Sequence, residues 1–175
     1  AFAEFTRIEA LTDRYIGKKQ PDSRQSDIYQ INVNAGVKPV KVSDDTLAML
    51  EQSLHYAQLS AGAFDITVGP LMDLWGFGSN DFRVPTYAEI DSVLALIGYE
   101  KIRIDKENNT VFLPVKGMQI DLGGIAKGYA TDKAVEKLER LGISSAIINA
   151  GGNIYALGSQ PDGKPWCIGI QHPRD

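Results

Sequence analysis

Ile120-Asp121-Leu122-Gly123-Gly124-Ile125-Ala126-Lys127-Gly128-Tyr129-Ala130 sets the frame for the rest of the chain. Met118-Gln119-Ile120, at its front, alternates as a strand does and runs into an acid. Gly123 and Gly124 follow, where the backbone either turns tightly or lets a ligand approach its amides. From about Ala126 to Leu141 the apolar residues recur at helical spacing, and Gly142 stands where a glycine ends a helix. Strand, glycine turn and helix start together make an anion site, because the first helical N–H groups are unpaired and the dipole favours negative charge. Asp121 beside such a site is a conflict, since two negative groups repel. Two resolutions stay open. Asp121 accepts a hydrogen bond from an uncharged part of the ligand, a hydroxyl or ring N–H, or a divalent cation lies between the two. Both point to a nucleotide-like ligand. A plain strand-to-helix connection capped by Asp121 needs no ligand at all.

A second glycine pair lies close behind. Ser145 to Asn149 reads as a buried strand that runs into Ala150-Gly151-Gly152-Asn153 before Ile154 to Leu157 resumes it. A glycine pair inside a strand pattern marks a bulge or a close backbone approach. After Pro161-Asp162-Gly163, Trp166-Cys167-Ile168-Gly169-Ile170 reads as a last strand, with Cys167 a buried apolar residue.

Upstream, Phe2, Phe5, Ile8, Leu11 and Tyr15 repeat at helical spacing to about Ile16, with no cap residue before them. The helix is expected to start outside the chain, which reads as part of a longer protein cut at both ends, a single domain over 1–175. Gly17 to Gln25 is an exposed loop. Ser26 to Val33 carries both a cap and an alternating run, and the reading leans to helix. Ser43-Asp44-Asp45 opens a helix with Leu47, Leu50, Leu54 and Ala57 on its stripe, ending near Ser60. Ala63-Phe64-Asp65-Ile66-Thr67-Val68 reads as a short strand, its lone Asp65 facing solvent or capping the next turn. Leu71 to Gly78 is a helical turn that breaks into a tight loop, with Trp75 and Phe77 as core or as a stack for a flat ring. Thr86 and Glu89 form a capping box for a helix that runs to a Gly98 stop, and Lys101–Asp105 with Thr110–Leu113 form a hairpin. Helices interleaved with hairpin-connected strands predict an α+β fold with a mixed or mostly antiparallel sheet.

Composition narrows the partners. Eighteen Lys+Arg against 22 Asp+Glu give a net charge of −4 without a long basic block, so nucleic acid is not an expected partner. No apolar run reaches the length of a bilayer span. One cysteine and two histidines argue against a His/Cys metal site, so any metal here is expected to be hard and oxygen-bound.

Taken together, Ala63 to Leu71 with Leu74-Trp75-Gly76-Phe77-Gly78, Asp121 to Ala130 with Asp132, and Asn149 to Asn153 resemble the motifs of the FAD:protein FMN transferase (ApbE-like) family, in order and in spacing. Ser26 to Gly36 is similar to that family's early conserved region. The resemblance implies a T-fold-like flavin transferase domain. It implies transfer of FMN from FAD to a threonine of an acceptor protein of the redox-pump subunit type, with AMP leaving and Mg²⁺ assisting. It also implies action at the extracytoplasmic face of a bacterial cytoplasmic membrane or in the periplasm. By the same resemblance Ala63, Phe64, Asp65, Asp121 and Lys127 hold FAD, and Gly124 offers a backbone carbonyl to the metal. No catalytic residue is assigned. The resemblance puts a further Asp and Thr metal ligand beyond Asp175, and Asp22 stands near where many members carry an aromatic residue. The competing expectations are a non-catalytic FAD-binding module and an FAD pyrophosphatase that releases FMN and AMP.

Overall fold

Ser26 and Ser43 start two helices by the same device, and one carboxylate joins them. Each serine hydroxyl accepts a backbone N–H of its own helix, α2 (Asp27–Val33) and α3 (Asp44–Leu59). Asp27, the first residue of α2, accepts from the Ser43 amide at 2.9 Å and from the Ser43 and Thr46 hydroxyls at 2.7 Å each. A single anion thus serves two helix N-termini, where the dipoles favour it.

The computed structural model describes residues 1–15, 26–79, 81–170 and 172. They group into two compact units, Thr6–Ala126 and Lys127–Asp175 with Ala1–Phe5. The expected loop from Gly17 to Gln25, including Asp22, lies outside the described residues, as does most of the tail after Ile170.

The helix α1 (Phe2–Thr12), whose residues from Thr6 on belong to the larger unit, stops before the predicted end. The Thr12 hydroxyl bonds back to the Ile8 carbonyl at 2.9 Å and Asp13 accepts the Tyr15 amide at 2.9 Å, so side chains take over the backbone groups that a further turn would use. On α3 the buried stripe is Thr46, Met49, Leu50, Ser53 and Ala57, rotated from the predicted one, and His55 is exposed. The short strands β1 (Val40–Lys41), β2 (Arg103–Asp105) and β3 (Thr110–Phe112) form an antiparallel sheet in the order β1-β3-β2, with Val111 buried at its centre. The capping box at Thr86 and Glu89 is present and starts α5 (Tyr87–Leu94), shorter than the predicted run to Gly98. The core gathers Ile8, Ile28, Ile31, Met49, Leu50, Ile66, Leu113, Met118, Ile120 and Leu122. Each such side chain contributes about 1.5–3 kcal/mol on burial.

Two predicted strands of this unit are not strands. Ala63 to Val68 is a turn leading into α4 (Gly69–Leu74), and Met118 to Ile120 forms no ladder with it among the described residues beyond one parallel bridge between Val68 and Gln119. The alternation predicted over Met118 to Ile120 is present in the burial of Met118 and Ile120, but the backbone finds its partners elsewhere. Asn32 of α2 takes the place of a neighbouring strand. Its side-chain amide donates to the Ile120 carbonyl at 2.9 Å and its oxygen accepts the Ile120 N–H at 2.7 Å. On the other side, Asp121 N–H donates to Ile66 at 2.8 Å and Gly69 N–H to Gln119 at 3.2 Å. Gly69 is required there: a Cβ would stand 2.5 Å from that of Gln119.

In the smaller unit, α6 (Ala126–Arg140) buries Tyr129, Ala130, Thr131, Ala134 and Val135, and Gly142 ends the turn at φ +79°. β4 (Ala146–Ala150) and β5 (Asn153–Leu157) are the arms of one antiparallel hairpin, in register from Ala146↔Leu157 to Ala150↔Asn153. Gly151 and Gly152, at φ +61° and +92°, form its two-residue turn, so the pair is a hairpin signal and not a bulge in one strand. Ile147, Ile154 and Tyr155 are exposed, against the expectation of a buried strand. Trp166 to Ile170 has no partner strand among the described residues and stays irregular, and Cys167 is exposed. Helices with small antiparallel sheets make the fold α+β, as predicted.

Candidate functional site

Three segments of the larger unit meet at Arg14, just past α1: the start of α4 at Gly69, the run from Gln119, and Asp121. The Asp121 carboxylate folds back on its own chain, Oδ1 accepting the Gly123 N–H at 2.8 Å. This is an Asx turn across the glycines and not a cap on α6, whose first residue is Ala126. Gly123 is held close, since a Cβ on it would lie 2.9 Å from Asp121 Oδ1. The side chain of Asp121 is 17% exposed, and Oδ2 lies 3.7 Å from Arg14 Nη1.

Arg14 is the residue that sequence reasoning missed. Its side chain is 4% exposed, and a buried cation persists only where partners surround it. Nη2 donates to Gln119 Oε1 at 2.7 Å, Asp73 Oδ1 at 2.9 Å and the Gly69 carbonyl at 3.1 Å. Gln119 closes the triangle by donating to Asp73 at 2.9 Å. Nη1 donates to the Tyr15 hydroxyl at 2.9 Å, and the guanidinium lies 4.7 Å from the centre of the Tyr15 ring. A cavity of about 320 Å³ opens beside this arrangement, lined by Glu9, Asp13, Arg14, Tyr15, Asp121 and Gly123 among others. Acids outnumber cations on its wall, which suits hydrogen-bond donors or a cation better than a bare phosphate.

The other predicted residues fall in different places. Phe64 and Gly124 line a second cavity, of about 460 Å³, with Tyr56, Leu59, Ser60 and Ile125. The Phe64 ring sits against Gly124, where a Cβ would come within 2.9 Å of it. Ala63 is exposed, and lines neither cavity. Asp65 turns inward to structural work: Oδ1 accepts the Thr67 amide at 2.7 Å and the Thr67 hydroxyl at 2.6 Å, and Oδ2 accepts the Tyr99 amide at 3.0 Å. The same Thr67 hydroxyl then accepts the Gly98 amide at 2.8 Å, so Asp65 ties two turns together. Lys127 is exposed and belongs to the smaller unit. Gly124 offers one carbonyl oxygen, and among the described residues no three His, Cys, Asp or Glu side chains gather to hold a metal. These residues alone do not complete a Mg²⁺ shell.

The model of the ApbE family matches residues 1–175. The chain belongs to the ApbE family. Among its ApbE relatives, the FAD:protein FMN transferase of Haemophilus influenzae is 34% identical over 171 residues, covering 95% of this chain and 49% of that protein. That of Klebsiella pneumoniae is 33% identical over 168 residues, covering 96% and 51%. The solved ApbE protein of Thermotoga maritima superposes with a TM-score of 0.88 at 34% identity, covering 99% of this chain and 54% of that one. The flavin transferase ApbE of Vibrio cholerae gives 0.81 at 31%, covering 98% and 55%. The chain thus spans about half the length of these ApbE relatives.

Proposed function

We propose that the protein carrying this chain is an FAD:protein FMN transferase, moving FMN from FAD to the threonine of an acceptor protein. In that reaction the threonine oxygen bonds to the phosphorus of the FMN half, the pyrophosphate bond to AMP breaks, and the hydroxyl proton passes to a base. Family membership supports flavin transfer, and one observation supports reading the site at Asp121: of the three carboxylates on the wall of the 320 Å³ cavity, it is the one bonded to the Gly123 amide and facing Arg14. Its Oδ2 is suited to accept from a ring N–H or hydroxyl of the flavin nucleotide. The Phe64–Gly124 cavity next in sequence supplies an apolar, aromatic wall suited to a flat ring. Phosphoryl transfer asks the protein chiefly to position groups and offset charge, which accords with a chain poor in Cys and His.

Mg²⁺ dependence belongs to this reading through the resemblance at Gly124. Its remaining ligands would be substrate phosphates and groups outside the described residues. The acceptor is a threonine-bearing redox-pump subunit, and the place of action the extracytoplasmic face of a bacterial cytoplasmic membrane or the periplasm. Among the described residues no helix is long and apolar enough to cross a membrane.

The test is FAD binding followed by flavin fluorescence, with and without Mg²⁺, then turnover with a threonine-bearing acceptor. Asp121→Ala is expected to weaken FAD binding about tenfold or more, the cost of one charge-assisted hydrogen bond. Asp162→Ala, in an exposed turn of the smaller unit, is expected to leave it unchanged. Equal effects of the two would remove Asp121 from the site. Free FMN formed without acceptor would make the protein an FAD pyrophosphatase, and binding without turnover an FAD carrier.

A further inference from the structure

Arg14 is bound more tightly than a surface cation and less completely than a structural one. It reaches partners 55, 59 and 105 residues away along the chain, at Gly69, Asp73 and Gln119. Yet its Nε is buried with no hydrogen-bond partner among the described residues. A guanidinium placed for structure alone would satisfy that donor, because leaving it unmade costs about 1–3 kcal/mol. What the observed placement achieves is a position between two carboxylates. Asp73 receives Nη2 directly at 2.9 Å, whereas Asp121 Oδ2 stays at 3.7 Å from Nη1, beyond hydrogen-bond reach. The Gly123 amide holds Oδ1. The carboxylate is therefore fixed through one oxygen and attracted by a nearby positive charge, while among the described residues no donor stands at bonding distance from its second oxygen.

We propose that Arg14 is a positioning residue that acts through Asp121: its buried charge, anchored on Gly69, Asp73 and Gln119, holds the Asp121–Gly123 turn closed and keeps Asp121 Oδ2 presented to the ligand. The ligand half of this statement rests on the flavin reading given above; the coupling of Arg14 to Asp121 does not.

The experiment uses Arg14→Met, which keeps most of the stem and removes the charge, with Asp121→Asn and the double variant. One readout is the Gly123 amide resonance in the ligand-free chain, which the bond from Asp121 displaces downfield. Arg14→Met is expected to move it upfield, toward its position in Asp121→Ala, where no side-chain acceptor remains, with the resonances of Ile104 and Val111 in the β2–β3 pair unmoved. The second readout is the FAD dissociation constant. Arg14→Met is expected to raise it about tenfold in the Asp121 background and to add nothing in the Asn background, the signature of coupled residues. Arg14→Lys restores the charge without the fork and recovers part of both effects. Should Arg14→Met fail to fold, Arg14→Lys carries the comparison alone, with a partial Gly123 shift expected. An unmoved Gly123 resonance, or equal losses of FAD affinity in the two backgrounds, overturns the proposal. If the unaltered chain binds no FAD, the flavin reading falls, and the Gly123 resonance still decides whether Arg14 acts on Asp121.

Discussion

Gly123-Gly124 and Gly151-Gly152 look alike in the sequence and do opposite things in the structure. The first pair is short of space. Cβ atoms there would meet Asp121 Oδ1 and the Phe64 ring at 2.9 Å each, while neither backbone is left-handed. The second pair has open space, with nothing within 4 Å of either Cβ, but needs φ of +61° and +92°. One pair is glycine because something must come close. The other is glycine because the chain must reverse. Only the first kind points to a site.

The largest effect that would break this contrast is at Gly124. Gly124→Val drives a branched side chain into the Phe64 ring and is expected to lower FAD affinity about ten- to hundredfold, following an overpacking cost of about 1–3 kcal/mol. Unchanged fluorescence titrations would show the crowding to be irrelevant to the ligand. Next is Gly152→Ala, which places a Cβ in the left-handed region and is expected to cost about 1–2 kcal/mol in urea unfolding with FAD affinity retained. A fall in affinity would mean that the hairpin turn also serves the ligand. A third glycine sharpens the comparison by needing neither reason. Gly128 lies within α6 with nothing within 4 Å of its Cβ and no left-handed φ, so Gly128→Ala is expected to stabilise by about 0.5–1 kcal/mol. Lost FAD binding in that variant would reveal a ligand lying against the helix backbone.

The smallest effect shows what an acid does at a turn with no ligand near it. The Thr86 backbone amide, then the Arg83 side chain, hold the Glu89 carboxyl down at about 2 from 4.5. A depressed carboxyl stabilises where it is ionised and the unfolded chain would be too, so its contribution is complete above pH about 4.5 and fades as the pH falls toward 2. The Thr86 amide resonance should titrate with a midpoint near 2 and cease to do so in Glu89→Gln.

Local signals carried much of the fold. Caps at Ser26, Ser43 and Thr86, the hairpin turn after Asp105 and the stop at Gly142 were all legible, because each is decided within a few residues. The predicted strands failed where pairing was the question. Met118 to Ile120 and Trp166 to Ile170 have the alternation of strands, but a strand needs a neighbour, and neither has one among the described residues beyond a single bridge at Gln119. Asp121 could be singled out because glycine and acid patterns are local, whereas Phe64 and Gly124 were reached through the family resemblance. Arg14 could not. It sits just past a helical stripe, where an arginine ordinarily faces water, and its burial is decided by acceptors brought from far along the chain. For Asp65 the residues alone allow a solvent-facing side chain or a turn cap, and the structure shows it accepting turn amides.

The clasp between Asn32 and Ile120 works as a key for register. A strand one residue out of step turns each of its side chains to the opposite face, and sheets prevent this with many ladder bonds along their length. Here one amide side chain, gripping both polar groups of one residue, selects which of Gln119, Ile120 and Asp121 faces inward. The direction in which Asp121 points is therefore set in part from α2, through bonds made to its neighbour Ile120.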